Sequence, residues 1–249
     1  MKISRMLTVF ALLVILALLT SGCTVTAVKD SPVITTFIQG ENGTLSAQPA
    51  MTATTNIKLP EPRLKSDVSL EEALYERRST RQYADSPLTL SDVSQLLWAA
   101  QGITENSTGK RTAPSAQRFY PLEIYLVAGN VENLAPGIYL YSPAGHELEK
   151  IKDGDMRADL GGRPDSQKAP VDIIIAANFS KVPEKFGAEG TKWIYLECGH
   201  AAQNICLQAT ALNLGTVTAA GFPEDKIKSL LGLPAEKGIL YLMPVGKKT

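Results

Sequence analysis

The sequence predicts one mixed α and β domain over residues 67–249, behind an N-terminal segment that is not part of the fold. Three observations carry this. Helical patterns with start and stop signals alternate irregularly with short runs of apolar, β-branched residues. No internal repeat of fixed period is present, and the loops vary too much in length for a propeller or a solenoid. The 249 residues, 44% of them apolar, suffice for one large core once the N-terminal segment is set aside.

The first helix is expected at Ser69-Leu70-Glu71-Glu72, which has capping-box spacing, and it runs toward Arg77. A second is predicted in LSDVSQLLWAAQG, with Val93, Leu96, Leu97 and Ala100 on one face and Gly102 as its stop. Short strands are expected at Leu122–Ala128, Gly137–Tyr141 and Val171–Ala177. From Thr191, TKWIYLECGHAAQNICLQATALNLG reads as a long helix apolar on nearly every side, the mark of a central helix shared with a partner subunit. Asn213-Leu214-Gly215 is predicted to end it. TVTAAGF then continues as strand and loop, Pro223–Leu231 as a helix and Ile239–Val245 as the closing strand.

The N-terminus reads as an export signal over residues 1–23: Lys2 and Arg5, an uncharged apolar run, then small residues. Leu19-Thr20-Ser21-Gly22-Cys23 resembles the lipobox of prokaryotic lipoproteins, in which the cysteine is lipidated. A transmembrane anchor is the alternative, because the uncharged run continues through Val28. Either reading tethers the domain to the outer face of the cytoplasmic membrane. Residues 24–66, rich in Thr, Ser, Ala and Pro, are expected to form a flexible linker.

Lys plus Arg equals Asp plus Glu at 25 each, so no global field draws the chain to nucleic acid. Cys198 and Cys206 lie on one predicted helix about 12 Å apart by helical rise. That is too far to bridge, and both are expected as small buried apolar residues. His146 begins a zinc-protease-like HELEK, but Lys150 stands where the second ligand belongs, so His146 is read as a surface turn residue. His200 is read as a satisfied core histidine. With two histidines and no acid motif around a serine, a hydrolytic triad is unsupported. Neither GxGxxG after a strand nor GxxxxGK[ST] occurs.

The chemistry that remains is in ERRSTRQY. Guanidinium forks match phosphate oxygens and a serine hydroxyl adds a neutral donor, so Arg77, Arg78, Ser79 and Arg81 would surround a dianionic monophosphate. The competing reading is a solvated basic face. Further on, the small residues Pro114-Ser115-Ala116 precede a strand and would let backbone approach a flat ring. GTVTAAGF is a second small-residue loop able to offer backbone N–H groups.

Taken in order, RRSTRQY, LLWAAQGIT, RTAPSAQRFYPLEIYLV, YLECGHAAQNICLQATALNLGTV and LLGLPAEKGILYLMPVG resemble the FMN-dependent nitroreductases over about residues 68–248. The resemblance is closest to their SagB-type dehydrogenase branch, which includes azoline oxidases. It implies an α+β fold in which an antiparallel sheet of about four or five strands is wrapped by helices, assembled as a homodimer with FMN at the interface. Carried across by residue, Arg77, Arg78, Ser79 and Arg81 would hold the FMN phosphate and ribityl chain, with Arg81 nearest N1 and O2. Pro114, Ser115, Ala116 and Arg118 would reach the flavin of the partner subunit. Thr218, Ala219, Ala220 and Gly221 would lie against the isoalloxazine and offer an N–H near N5, and Lys247 and Lys248 are candidates for a further phosphate contact.

The flavin would carry the chemistry with no catalytic side chain: hydride transfer through N5, to or from a small organic substrate, with ping-pong kinetics. The reduced donor would be NAD(P)H or, outside the membrane where nicotinamides are scarce, a quinol or membrane carrier. Three departures from the family pattern are visible. Ala220 stands where many members have an acidic residue, Gln117 stands where a glycine is expected, and Thr191-Lys192-Trp193 is the nearest approach to the Leu-Lys-Tyr triplet of azoline oxidation, so peptide oxidation is unsupported. Two other classes remain: a non-catalytic flavin-binding lipoprotein, and a tethered solute-binding protein whose basic cluster captures a phosphate or carboxylate.

Overall fold

A computed structural model describes residues 56–249; the export signal, Cys23 and residues 24–55 of the expected linker lie outside the described residues. The chain runs β1 (Asn56–Lys58), α1 (Leu70–Glu76), α2 (Leu90–Gln101), a small hairpin of β2 (Ile103–Glu105) and β3 (Lys110–Arg111), then β4 (Leu122–Ala128), β5 (Gly137–Ser142) and β6 (Glu147–Asp153). It continues through α3 (Pro164–Lys168), β7 (Val171–Asn178), α4 (Gly187–Ala211), β8 (Leu214–Thr216), α5 (Glu224–Leu231) and β9 (Lys237–Lys247). The main sheet is antiparallel throughout, in the order β1-β6-β5-β4-β7-β9-β8.

Helices cover both faces of this sheet. On one, Leu96 and Leu97 of α2 and Ala201, Ala202 and Ile205 of α4 pack against Ile173, Ile175 and Met243. On the other, Ile227 and Leu231 of α5 and Leu160 pack against Tyr125, Val127, Ile174 and Ala176. Successive side chains of a strand point to opposite faces, so β7, buried on both, reads as an apolar run broken by a single buried acid, Asp172. Among the described residues no helix is long and apolar enough to cross a membrane.

Most predicted elements form where expected. Ser69 Oγ accepts from the Glu72 N–H at the start of α1, and Gly102 caps the end of α2. Other expectations need correction. The sheet has seven strands, more than the four or five expected, because β1, β6 and β8 add to it. Strand β1 pairs with β6, and Leu59 beside it is buried, so the folded domain begins at least eleven residues before position 67 and the linker cannot extend to residue 66. The long helix starts at Gly187 rather than Thr191 and stops at Ala211, before the predicted Asn213-Leu214-Gly215. Asn213 takes a left-handed φ of 55° there, which turns the chain so that Leu214–Thr216 joins the sheet as β8.

Both cysteines of α4 are buried, as expected. The histidines are not as expected. His146 does sit in a turn, with φ 45°, but its ring is half-buried: Nδ1 lies 2.9 Å from Tyr141 Oη, and Nε2 lies 2.7 Å from Ser94 Oγ and 2.9 Å from the Pro60 carbonyl. Burial lowers its pKa despite that carbonyl. His200 is exposed rather than in the core, on the face of α4 that also presents Tyr195 and Leu196, each more than half exposed. Leu70, Leu74 and Tyr75 of α1, which packs on α4, are exposed likewise.

Candidate functional site

The basic segment lies along the free edge of the sheet. After α1 ends, Ser79 pairs with Thr216 of β8 in parallel fashion, and the Thr80 N–H donates to the Thr216 carbonyl at 2.9 Å. Tyr83 Oη donates to the carbonyls of Thr80 (2.7 Å) and Pro244 (3.2 Å), and the Ala84 N–H donates to the Lys247 carbonyl at 2.9 Å. Two glycines permit this close approach. A Cβ on Gly215 would stand 2.5 Å from Thr80 Cγ2, and one on Gly246 would stand 2.8 Å from Pro170 Cδ and 3.0 Å from Tyr83 Cβ. The sequence thereby lays Arg77–Tyr83 along the outer edge of β8 and past the end of the C-terminal strand, where Tyr83 bridges Lys248.

A cavity of about 180 Å³ opens there, lined by Glu76, Arg78, Thr80, Cys206, Thr216 and Lys248 among others. None of the six ion pairs among the described residues involves Arg77, Arg78, Arg81, Lys247 or Lys248. Arg78 is partly engaged: its Nη1 donates to the carbonyls of Tyr75 and Arg77, both at 2.8 Å, capping the end of α1. Arg81 and Lys247 are exposed, and Arg77 is half-buried. Five cations therefore stand around one segment and one strand end, with Glu76 the only carboxylate among the described residues that line the cavity.

The second predicted group follows β8. Ala219 is buried and exchanges two 2.9 Å backbone hydrogen bonds with Leu242, so its own N–H is committed to the sheet and not free for a ligand. Thr218, Ala220 and Gly221 are exposed. Arg163 Nη1 donates to the Gly221 carbonyl at 3.3 Å while its Nη2 is paired with Asp165 at 2.6 Å, tying this loop to the segment before α3. Ala220 also lines a cavity of about 350 Å³ with Phe179, Tyr195, Cys198, Glu224 and Tyr241. Burial pushes the Cys198 thiol up to about 12, so it is no nucleophile at neutral pH.

The third group, Pro114–Arg118, lies apart: it shares no hydrogen bond with Arg77–Arg81 among the described residues. Ser115 and Ala116 face Phe119, Val182, Trp193 and Glu197. The turn is strained, with Gln117 at φ 52°, Arg118 at φ 59° and Tyr120 at φ 44°. A left-handed conformation costs a non-glycine residue about 1–2 kcal/mol, so a glycine would fit the Gln117 position with less strain. The Tyr120 N–H donates to Ser115 Oγ at 2.9 Å, and Lys181 Nζ donates to the Tyr120 carbonyl at 3.3 Å.

Sequence reasoning missed several participants. Tyr83 and Thr216 weld the basic segment to the sheet, yet neither carries a recognisable signal. A buried polar chain also lies behind Ser115: Arg111 Nη1 donates to Gln101 Oε1 (2.9 Å), and Gln101 Nε2 donates to Glu197 Oε1 (3.3 Å). Burial raises the Glu197 carboxyl and lowers Arg111. On the opposite face of β7, Asp172 is fully buried with no hydrogen bond of ordinary geometry to either oxygen, and burial pushes its carboxyl well above the usual range against the pull of the nearby Ser166 hydroxyl, Arg157 and Arg163. A lone acid in VDIIIAA was the available signal.

Comparison with known proteins agrees with this architecture. The model of the nitroreductase family matches residues 74–247. A protein of Methanocaldococcus jannaschii named as a nitroreductase, MJ1384, is 39% identical over 199 residues, covering 78% of this chain and 98% of its own. A crystal structure from Ralstonia eutropha, described as a nitroreductase, superposes with a TM-score of 0.70 at 28% identity, covering 78% of this chain and 90% of that one. The NADPH:FMN oxidoreductase of Vibrio harveyi shares the fold at a TM-score of 0.52 and 19% identity, over 72% of this chain and 68% of its own. A matched segment running from α1 to the end of β9, through the basic edge and both small-residue loops, together with that archaeal relative, makes this chain a member of the nitroreductase family of oxidoreductases.

Proposed function

We propose that the chain is an FMN-dependent oxidoreductase that works as a homodimer and exchanges hydride with a small organic substrate in a ping-pong cycle. The observation that carries this reading is the un-neutralised basic edge. Arg77, Arg81 and Lys247, together with Arg78 and Lys248 at the cavity, form a donor set suited to a phosphate dianion, and the backbone ladder to Thr216 and Lys247 fixes where they stand. The residues fit FMN. Bound there, FMN would supply a two-electron acceptor and donor at its N5.

The chain's own residues bind and orient. Thr218, Ala220 and Gly221 would lie along the ring, with the free N–H groups of that loop near N5, since the Ala219 N–H is spent on Leu242. Pro114, Ser115, Ala116 and Arg118 would close over the ring from the partner subunit. The exposed Leu74, Tyr75, Tyr195 and Leu196 on α1 and α4 favour that partner being a second copy, because an apolar surface of this kind is buried in assemblies. The name of the Vibrio protein supports the cofactor class. Ala220, small and uncharged beside the proposed ring, adds no charge to the adjacent cavity, whose lining carboxylate is Glu224.

The N-terminal signal and Cys23 lead us to propose that the domain is tethered to the outer face of the cytoplasmic membrane and takes electrons from a membrane carrier, with NAD(P)H the competing donor. Stopped-flow reduction of the purified chain by NADH, NADPH or a soluble quinol, followed by separate reoxidation with a nitroaromatic or quinone, tests both points. Each half-reaction should proceed without the other substrate, and the quinol should outpace the nicotinamides. Failure of every donor to reduce a bound flavin would remove the enzymatic reading. A Cys23→Ala chain that still sediments with membranes would remove the lipid anchor.

A further inference from the structure

We propose that Arg111 is a positioning residue for the flavin-facing turn Ser115–Tyr120, and that it sets how firmly the isoalloxazine ring, as distinct from the phosphate, is held. The proposal rests on the FMN reading above. The turn contains three non-glycine residues in left-handed conformations, Gln117, Arg118 and Tyr120. Strain of this kind persists only where the surroundings over-determine it, and it concentrates at ligand clamps.

The surroundings here converge on Tyr120. Its N–H is held by Ser115 Oγ and its carbonyl by Lys181. The Arg111 guanidinium lies over its ring, 4.3 Å from the centroid. Arg111 is itself held from behind by Gln101, 0% exposed, which is held by Glu197, 3% exposed. The planar guanidinium thus joins a buried polar chain on one edge to an aromatic face on the other, a combination lysine cannot reproduce in full. No ion pair among the described residues neutralises Arg111, and its Nε is buried without a partner, so this placement is not that of a surface charge. A fixed turn keeps Ser115 and Ala116 at the distance a flat ring requires. A loosened turn gives up contact with the ring and leaves Arg77 and Arg81 untouched.

The test compares the parent chain with Arg111→Met and Arg111→Lys by two measurements. Amide hydrogen exchange is followed in the peptide spanning residues 112–122, against the central strand Val171–Asn178 as internal reference. Affinities for FMN and for riboflavin, which shares the ring and lacks the phosphate, are then measured side by side. The expected result for Arg111→Met is faster exchange confined to 112–122, with about tenfold weaker binding of both flavins and an unchanged ratio between them, and with Arg111→Lys between Met and parent. Unchanged exchange and affinities would overturn the proposal. So would exchange that rises equally in the central strand, which would mark Arg111 as a general stability residue, or a loss restricted to FMN, which would place it with the phosphate. A parent chain that binds neither flavin overturns the FMN reading and this proposal with it, while localised exchange would still establish that Arg111 holds the turn.

Discussion

The basic segment Arg77–Tyr83 and the turn Pro114–Tyr120 serve the same proposed ligand by opposite physical means. The first is held by backbone: a β-bridge to Thr216, ladder hydrogen bonds to β8 and β9, and two glycines that allow the close approach. Among the described residues its cations form no ion pair, so its electrostatics call for an anion. The second is held by side chains, a buried chain from Glu197 through Gln101 to Arg111 and Tyr120, and carries backbone strain. Charge fixes one end of a ligand through attraction, and shape fixes the other through preorganisation.

The largest effect that should separate the two comes from charge removal. Each charge-assisted hydrogen bond contributes about 1.5–3 kcal/mol, so Arg77→Ala combined with Arg81→Ala should weaken FMN by about a hundredfold or more. Riboflavin, which keeps the ring and ribityl chain and lacks the phosphate, should be weakened much less than FMN, and unfolding in urea should be nearly unaffected. Equilibrium titration of both flavins checks this. Next comes the backbone scaffold. Gly215→Ala drives a Cβ against Thr80, and overpacking of this kind costs about 1–3 kcal/mol. It should lower the urea midpoint and the FMN affinity together, unlike the arginine changes.

A third prediction lies away from both regions. Because burial raises the Asp172 carboxyl above its unfolded value, the native state holds a proton that the unfolded state releases, and stability should fall as pH rises from the ordinary aspartate range toward the folded pKa. That contribution is fully present below the unfolded pKa and lost above the folded one. Asp172→Asn should flatten this slope in urea titrations run across pH. The smallest effect is expected at the strained turn. Gln117→Gly relieves a left-handed residue but loosens the unfolded chain, for a net gain of under about 1 kcal/mol in the unfolding free energy.

The same contrast explains what was legible in the sequence. Strands β4, β7 and β9 were readable because burial on both faces makes them nearly continuous apolar runs, and α2 because its apolar stripe ends at a glycine. The cations of the basic edge were readable because charge is local. Strand β1 was not: NIK carries no pattern of its own and becomes a strand only by pairing with β6, some ninety residues on. Strand β6 was hidden by ELEKIKD, whose outer positions are solvated at the sheet margin. His200 was misplaced because a helix apolar on all sides does not announce which face looks outward. Arg111, Gln101 and Glu197 were invisible as a group because their chain joins α2, β3 and α4, and no local spacing encodes that meeting. Helix caps and charges are written locally, whereas the strained turn depends on contacts that only the fold supplies.

The central claim is that the basic edge holds a flavin phosphate. Its most direct test is the absorption spectrum of the purified chain beside that of the Arg77→Ala, Arg81→Ala double variant, each as isolated and after added FMN and desalting. The account predicts a pair of visible flavin bands in the parent, diminished or lost in the variant while its circular dichroism is unchanged. A colourless parent that also fails to take up FMN, or a variant that retains the parent's bands in full, would contradict it.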